Sequence, residues 1–309
     1  LAPKVAACSG KLEQSEVGGA FYGINNCSDT PGLRAVLAGL SSLIGKLNAQ
    51  AVGSTLFALR RCSDSAEVRA VLRTLEPEIA QCPQELSSQN ISNALYGIQQ
   101  CSDSPETRAI LAVLAPKIEE STEEFGALSI SLAFRGLNRC KDSPELRAVL
   151  SSLAPKVRGC PEALTGQNIS FALFGLRSCG DSPEVHAVLA ALAPGIAACP
   201  DELSEQEVGT ALHGLRGCKT CPELQAVLAA LAEKISSSTT PLAPQSVSYA
   251  LVGLQSCAGC LEHRLVLAAL APRIAAGESR LRAKYLVPAL RSLRSIVDCP
   301  ELRAIHAAL

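Results

Sequence analysis

The chain contains no methionine and no tryptophan, and only 3% of its 309 residues are aromatic. At ordinary usage about six methionines would be expected. An open reading frame begins with Met and this chain begins with Leu1, so we expect a processed or excerpted chain. No apolar stretch approaches the ~18 uncharged residues of a bilayer-spanning helix, and no signal or transit segment is recognisable, so no membrane span is expected. A net charge of −1 and an isoelectric point near 6.5 exclude a bulk polycation of the histone type. They leave room for a local basic stripe. The hydrophobic 48% is therefore mostly aliphatic, and at this length it can fill a large core.

That material is arranged in a repeat. Ala94-Leu95-Tyr96-Gly97-Ile98 aligns with Ala172-Leu173-Phe174-Gly175-Leu176 and with Ala211-Leu212-His213-Gly214-Leu215. The central position falls at Gly23, Ala58, Gly97, Gly136, Gly175, Gly214, Gly253 and Ser292, spaced by 35 and then by 39 six times. Eight units result, with one four-residue deletion after Leu40. Leu1 and Leu309 both fall in the register of Leu114, so the chain starts and stops inside the same helix of the unit. Solenoids end in polar capping repeats because an open end exposes core. Neither end looks capped, and the expectation is a window of a longer array.

Each unit reads as two helices. Helix A, typified by residues 87–98, has apolar residues six, three and two before the central position and one after it, which is helical spacing. Ser87 or Ser88 can cap it, and Ser204 with Glu207 has the form of a capping box. Helix B opens on Asp103-Ser104-Pro105-Glu106, where Ser caps, Pro tolerates its missing N–H, and Glu faces the positive helix end. Pro77, Pro116, Pro155, Pro194 and Pro272 share a register late in helix B, which predicts a bend or a short third segment. The expected fold is an all-α solenoid of stacked helix pairs. It would form one array over 1–309 with sixteen helical arms, the terminal two partly incomplete.

Fourteen cysteines suggest a disulfide scaffold until they are placed in the repeat. Cys27, Cys62, Cys101, Cys140, Cys179, Cys218 and Cys257 all sit four residues after the central position. Cys8, Cys82, Cys160 and Cys199 end helix B, where Ser121, Ser238 and Gly277 replace them. A column that accepts Cys, Ser or Gly asks for a small packing residue. So many unpaired thiols point to a reducing compartment. Cys218 with Cys221 and Cys257 with Cys260 could supply four thiolates to zinc. Equivalent points on stacked repeats are about 10 Å apart, which argues against convergence. The recurring Asp, Glu and Arg of helix B, as in Asp103, Glu106 and Arg108, have the positions of caps and inter-repeat ion pairs. His186, His213, His263 and His306 share no helix-face spacing, and no nucleophile motif or phosphate loop appears. We therefore expect no enzyme, cofactor, resident metal or small-molecule substrate.

A ligand would sit on the side of helix A opposite its core. On a wheel of 100° per residue, that face holds the positions four and one before the centre and three after it. The positions five before and two after flank it. One before the centre stand Tyr22, Phe57, Tyr96, Arg135, Phe174, His213, Val252 and Arg291. Two after it stand Asn25, Arg60, Gln99, Asn138, Arg177, Arg216, Gln255 and Arg294. Phe171 and Tyr249 add rings, so six of the ten aromatics point away from the predicted core. From seven before to three after, eight arginines face two acids, Glu16 and Glu207, a local +6. Rings and guanidinium planes stack on bases, and Asn, Gln and Arg read base edges. Tyr and Arg also anchor protein partners. Single-stranded RNA is one expected partner, and protein subunits of a larger assembly are the alternative.

The segment from Leu164 to Pro194 shows the unit best. Leu164, Gln167, Ile169-Ser170 and Ala172-Leu173-Phe174-Gly175-Leu176 lead through Ser182-Pro183-Glu184 into Val188-Leu189-Ala190-Ala191-Leu192-Ala193-Pro194. This pattern resembles the octotricopeptide repeat, and all eight units match it in outline. The resemblance implies an α-solenoid that binds RNA in a chloroplast or mitochondrion. A single continuous array predicts a radius of gyration well above the roughly 19 Å of a compact domain of this length. Solution scattering measures it, and a value near 19 Å refutes the array.

Overall fold

The computed structural model describes residues 1–257, 259–277 and 282–309. The chain divides into two compact units, Leu1–Lys156 and Val157–Leu309. The helices beginning in the first are α1 (Ala2–Ala6), α2 (Gln14–Ile24), α3 (Pro31–Leu43), α4 (Ala49–Ala58), α5 (Ala66–Ala80), α6 (Ser88–Gly97), α7 (Pro105–Glu120), α8 (Ala127–Gly136) and α9 (Pro144–Arg158). Those of the second are α10 (Gly166–Gly175), α11 (Pro183–Ala197), α12 (Glu205–Gly214), α13 (Pro222–Ser236), α14 (Pro244–Leu254), α15 (Leu261–Ala275), α16 (Ala283–Leu293) and α17 (Pro300–Ala308). No strand occurs among the described residues, and none of their helices is long and apolar enough to cross a membrane. The fold is all-α. Among the described residues seventeen α-helices replace the sixteen arms expected, because Ala2–Ala6, in the register of helix B, precedes the first helix A.

Within each unit the helices form two layers. In one, α2, α4, α6 and α8 pack in succession, as do α10, α12, α14 and α16; these are the A helices. In the other, α1, α3, α5 and α7 follow one another, as do α11, α13, α15 and α17. Leu56, Leu95 and Phe134 of the first unit and Leu173, Leu212 and Leu251 of the second point from helix A into the space between layers and are fully buried. Leu72, Leu75, Leu111 and Leu114, with Leu189, Leu192, Leu228 and Leu231, meet them from helix B.

The central glycine marks where A helices touch. A Cβ on Gly97 would collide with the Leu56 carbonyl of the previous helix A and stand 2.8 Å from Phe57 N. A Cβ on Gly214 would collide with the Leu173 carbonyl in the same way. Backbone rests on backbone here, which only a residue without a side chain permits. Five residues earlier stand Ser92, Ser131, Ser170 and Ser248, all buried. The wheel had placed that position on the flank of the outward face. It is instead covered by the next helix A, as shown by Gly53, whose Cβ would lie 2.9 Å from Asn90 Cα. The buried hydroxyls stay satisfied by their own helix: Ser92 donates to Gln89 O at 3.0 Å and Ser170 to Gln167 O at 3.0 Å.

Helix B begins as its sequence indicates. Ser65, Ser104 and Ser182 accept the N–H of the third helical residue, and Pro105 and Pro183 take the first turn. The recurring Asp is bound by the Arg five residues on, through both guanidinium nitrogens: 2.8 and 2.7 Å for Arg69 to Asp64, 3.0 and 2.6 Å for Arg108 to Asp103. These pairs lie within one repeat rather than between repeats. The carboxylate also reaches forward, since Asp29 accepts Ser63 N–H at 3.2 Å and Asp181 accepts Lys219 N–H at 3.1 Å. Arg73 to Glu106 at 2.7 Å is the inter-repeat kind. The late prolines make no third segment: α5, α7, α9, α11 and α15 run through them. Each Pro is on the exposed side, and so is the residue four before it, whose carbonyl loses its intrahelical donor to water. The proline carbonyl still accepts, as from Gln81 N–H to Pro77 O at 3.1 Å.

Helix ends carry carbonyls without intrahelical donors. At the end of helix B they are met by a cation of the next repeat. Lys117 Nζ donates to Cys82 O at 2.9 Å, Arg273 Nε to Thr240 O at 2.8 Å, and Lys156 and Lys234 to Ser121 O and Cys199 O.

Two outcomes follow. Gly→Ala in an exposed helix stabilises by up to about 1 kcal/mol. At Gly214 the sign inverts, and Gly214→Ala costs about 1–3 kcal/mol through forced separation of α10 and α12, read by urea unfolding. The Arg69 guanidinium, helped by Ser102, holds the Asp64 carboxyl down to about 2. A folded value below the unfolded one stabilises above about pH 4, and that stabilisation fades as pH falls toward 2. Asp64→Asn therefore melts below the wild type at pH 7, and the two converge near pH 2. Parallel melting curves across that range would refute the pairing.

Candidate binding face on helix A

Helix A ends in a tightened turn, a 3₁₀ turn at Leu59–Arg61, Leu176–Ser178 and Leu215–Gly217. This turn holds the residues two and three after the centre. In the first unit the former make a ladder. Arg60 Nη1 donates to Asn25 O at 3.4 Å and Phe57 O at 3.3 Å, Gln99 Nε2 to Arg60 O at 3.3 Å, and Asn138 Nδ2 to Gln99 O at 3.2 Å and Arg135 O at 2.7 Å. Asn138 is only 6% exposed. These donors reach carbonyls at or just beyond the end of the preceding helix A, and Arg60 and Asn138 also bond the last turn of their own, much as lysines of the next repeat bond carbonyls after helix B. In the second unit Ser256 Oγ donates to Arg216 O at 2.8 Å. Arg177 and Gln255 are half-buried, and Arg216 and Arg294 are exposed.

The column one before the centre packs along itself. Phe57 and Tyr96 have ring centroids 5.9 Å apart at 39°, and the Arg60 guanidinium carbon lies 4.1 Å from the Phe57 centroid. Arg135 follows, half-buried beside Tyr96, and burial lowers its pKa. In the second unit Phe174 and His213 are 6.0 Å apart at 31°, and His213 stacks on Tyr249 at 4.7 Å and 25°. Arg177 covers Phe174 at 4.4 Å. Phe57, Tyr96 and Phe174 are half-buried, whereas Tyr22 is 71% exposed. His213 is 9% exposed, contrary to the outward placement of its column, because rings on both sides enclose it. Burial, reinforced by Arg177 and Arg216, pushes its pKa down to about 4 and keeps it neutral at pH 7.

The face remains cationic. Arg61, Arg139, Arg216, Arg291 and Arg294 are exposed. Both acids of the stripe are engaged by helix caps: Glu16 accepts Glu13 N–H at 2.7 Å and Glu207 accepts Ser204 N–H at 2.8 Å. Sequence reasoning assigned these columns to a ligand and missed that in the first unit one of them bonds the neighbouring repeat. The signal was its location, immediately after the last turn of a helix, where carbonyls need donors.

All fourteen thiols are free. Cys62, Cys101, Cys140, Cys179, Cys218 and Cys257 are buried in one column, and burial pushes Cys62 up to about 11 and Cys101, Cys140 and Cys257 up to about 12. Such thiols are poor nucleophiles and poor metal ligands. The four sulfurs of Cys218, Cys221, Cys257 and Cys260 form no common cluster. Among the described residues, the one group of three metal-ligating side chains brought together is His186, Cys221 and Glu223.

The chain matches no protein-family model and no curated protein. Among solved structures it is similar to a computationally designed armadillo repeat protein for modular peptide recognition, at 14% identity with a TM-score of 0.40, covering 92% of this chain and 100% of that one. It is also similar to a designed armadillo repeat protein in complex with the peptide (KR)4, at 12% identity and a TM-score of 0.30 over 93% and 100% of the two chains. An engineered protein matches at 16% identity and a TM-score of 0.34 over 91% and 98%. The likeness is remote, and the present chain is a helical-repeat protein by its own two-layer packing.

Proposed function

We propose that the helix A face of each unit binds an extended polyanion, single-stranded RNA, through exposed arginines and the accessible ring of Tyr22. One observation carries this reading: the arginines of the stripe stand exposed, while its two acids are held by helix caps. Phosphate contacts with Arg supply affinity without sequence preference. In the first unit Arg60, Gln99 and Asn138, two after the centre, are bonded to backbone, so base-edge reading by Gln99 and Asn138 is not part of the proposal. Binding is therefore of low sequence specificity. An organellar, reducing setting, as the octotricopeptide resemblance implies, belongs to the same proposal. A protein partner of acidic surface is the competing outcome.

Titration of a pool of short single-stranded RNAs at several salt concentrations tests it. Arg216→Ala should weaken all members alike and flatten the log–log salt slope by about 0.7. Tyr22→Ala should cost about 1–3 kcal/mol of affinity through one lost stacking surface. Gln99→Ala should leave RNA affinity unchanged while lowering the melting temperature. No measurable RNA binding at physiological salt, or binding that Arg216→Ala leaves unchanged, would overturn the reading. Either result would pass the face to a protein partner.

A further inference from the structure

At the start of helix B three columns meet across each repeat junction. At two junctions of the second unit the residue of the Arg column reaches the recurring Glu of the next repeat: Arg264 to Glu301 at 3.0 and 2.9 Å, and Gln225 to Glu262 at 3.1 Å. Between them stands the cap residue of the second helix B. The Arg column reads Arg34, Arg69, Arg108, Arg147, His186, Gln225, Arg264 and Arg303. The cap column reads Thr30, Ser65, Ser104, Ser143, Ser182, Cys221, Cys260 and Cys299. A histidine in the first column faces a cysteine in the second at one junction alone, His186 with Cys221, and the recurring acid there is Glu223.

We propose that His186, Cys221 and Glu223 form a binding site for a zinc-class divalent cation, with water as fourth ligand. One ligating atom from each lies within 4.8 Å of the others, and all three residues are half-buried. A tetrahedral zinc site with ordinary Zn–S, Zn–N and Zn–O lengths needs separations of about 3.4–3.6 Å, so closure takes about 1 Å of side-chain rotation. The set of thiolate, imidazole and carboxylate suits zinc rather than calcium or magnesium, which take oxygen donors.

Each ligand is already oriented. His186 Nε2 is 2.8 Å from Asp181 Oδ1, so an Nε2–H donated to the carboxylate leaves the lone pair on Nδ1. Asp181 is itself fixed by Lys219 N–H. Metal binding takes the place of the Cys221 thiol proton, which leaves to solvent. Burial raises the Cys221 pKa, and Cys221 Sγ accepts Leu224 N–H at 3.4 Å at the positive end of α13, which opposes that rise. The site uses neither a thiol of the buried column nor a residue of the helix A face.

The test uses the full chain, stripped by chelator and titrated with zinc in competition with a chromophoric chelator, and with Co²⁺ for its thiolate charge-transfer band. One ion per chain and a Co²⁺–thiolate band are expected. Cys221→Ser and His186→Arg install the residues that other repeats carry at these positions, so the fold is kept, as melting of the metal-free proteins verifies. Cys221→Ser should abolish the band, and either change should weaken zinc at least 100-fold. Asp181→Asn should cost about 10–100-fold through loss of orientation. Cys257→Ser should change nothing. Absence of stoichiometric metal, or a band that survives Cys221→Ser, would overturn the proposal.

Discussion

Backbone contact between successive A helices is the constraint on which the remaining features of each unit depend. Gly97 against Leu56 and Gly214 against Leu173 leave no room for a side chain. Such close approach makes the buried position five residues earlier small, and serine fills it because its hydroxyl can turn to its own helix. It also brings the ends of adjacent A helices near enough for side chains as short as asparagine to bridge them. Asn138, which also bonds Arg135 O on its own helix, reaches Gln99 O because the two helices are so close. The ring spacing near 6 Å in both units has the same origin.

Much of this was legible in the sequence, for a physical reason. A 39-residue period repeats every local signal, so caps, turn prolines and apolar registers confirm one another across units. Ser104 with Pro105, the Ser204–Glu207 box and the aliphatic columns all fall where the pattern put them. The wheel failed where it assumed one buried face per helix. An A helix has a B helix beneath it and an A helix on each side, so its covered surface is wider than one stripe. Ser92, Asn138 and His213 were misplaced on that account. The late prolines were misjudged for the opposite reason: their lost bond faces water and costs little, so helix B continues.

The column of Asn, Gln and Arg after helix A shows why residue type alone does not settle function. Amide and guanidinium donors serve a base edge and an orphaned carbonyl equally well. What separates the two uses is the acceptor already in reach. In the first unit the acceptor is the preceding helix end, and Arg60, Gln99 and Asn138 are engaged by it. Arg61 and Arg139, one residue further on, are exposed, and Arg139 gives one donor to Gln100 O at 3.4 Å and keeps the rest toward solvent. The face therefore combines a bonded layer with a cationic layer outside it, and only the second has chemistry left for a ligand.

In a repeat, departures from a column locate specialised chemistry better than motifs do, provided the departing residue still performs the column's structural task. His186 replaces an arginine and still binds the aspartate five residues before it. Cys221 replaces a serine and still caps its helix through Sγ. Neither substitution alone creates a site, since Cys260 and Cys299 stand at the N-cap position opposite Gln225 and Arg264. The two coincide at one junction, beside a carboxylate that the repeat already supplies. There the scaffold loses little and gains three different ligand atoms within reach of one ion, whereas the Cys-x-x-Cys pairs that first suggest metal contain thiols committed to the packing column.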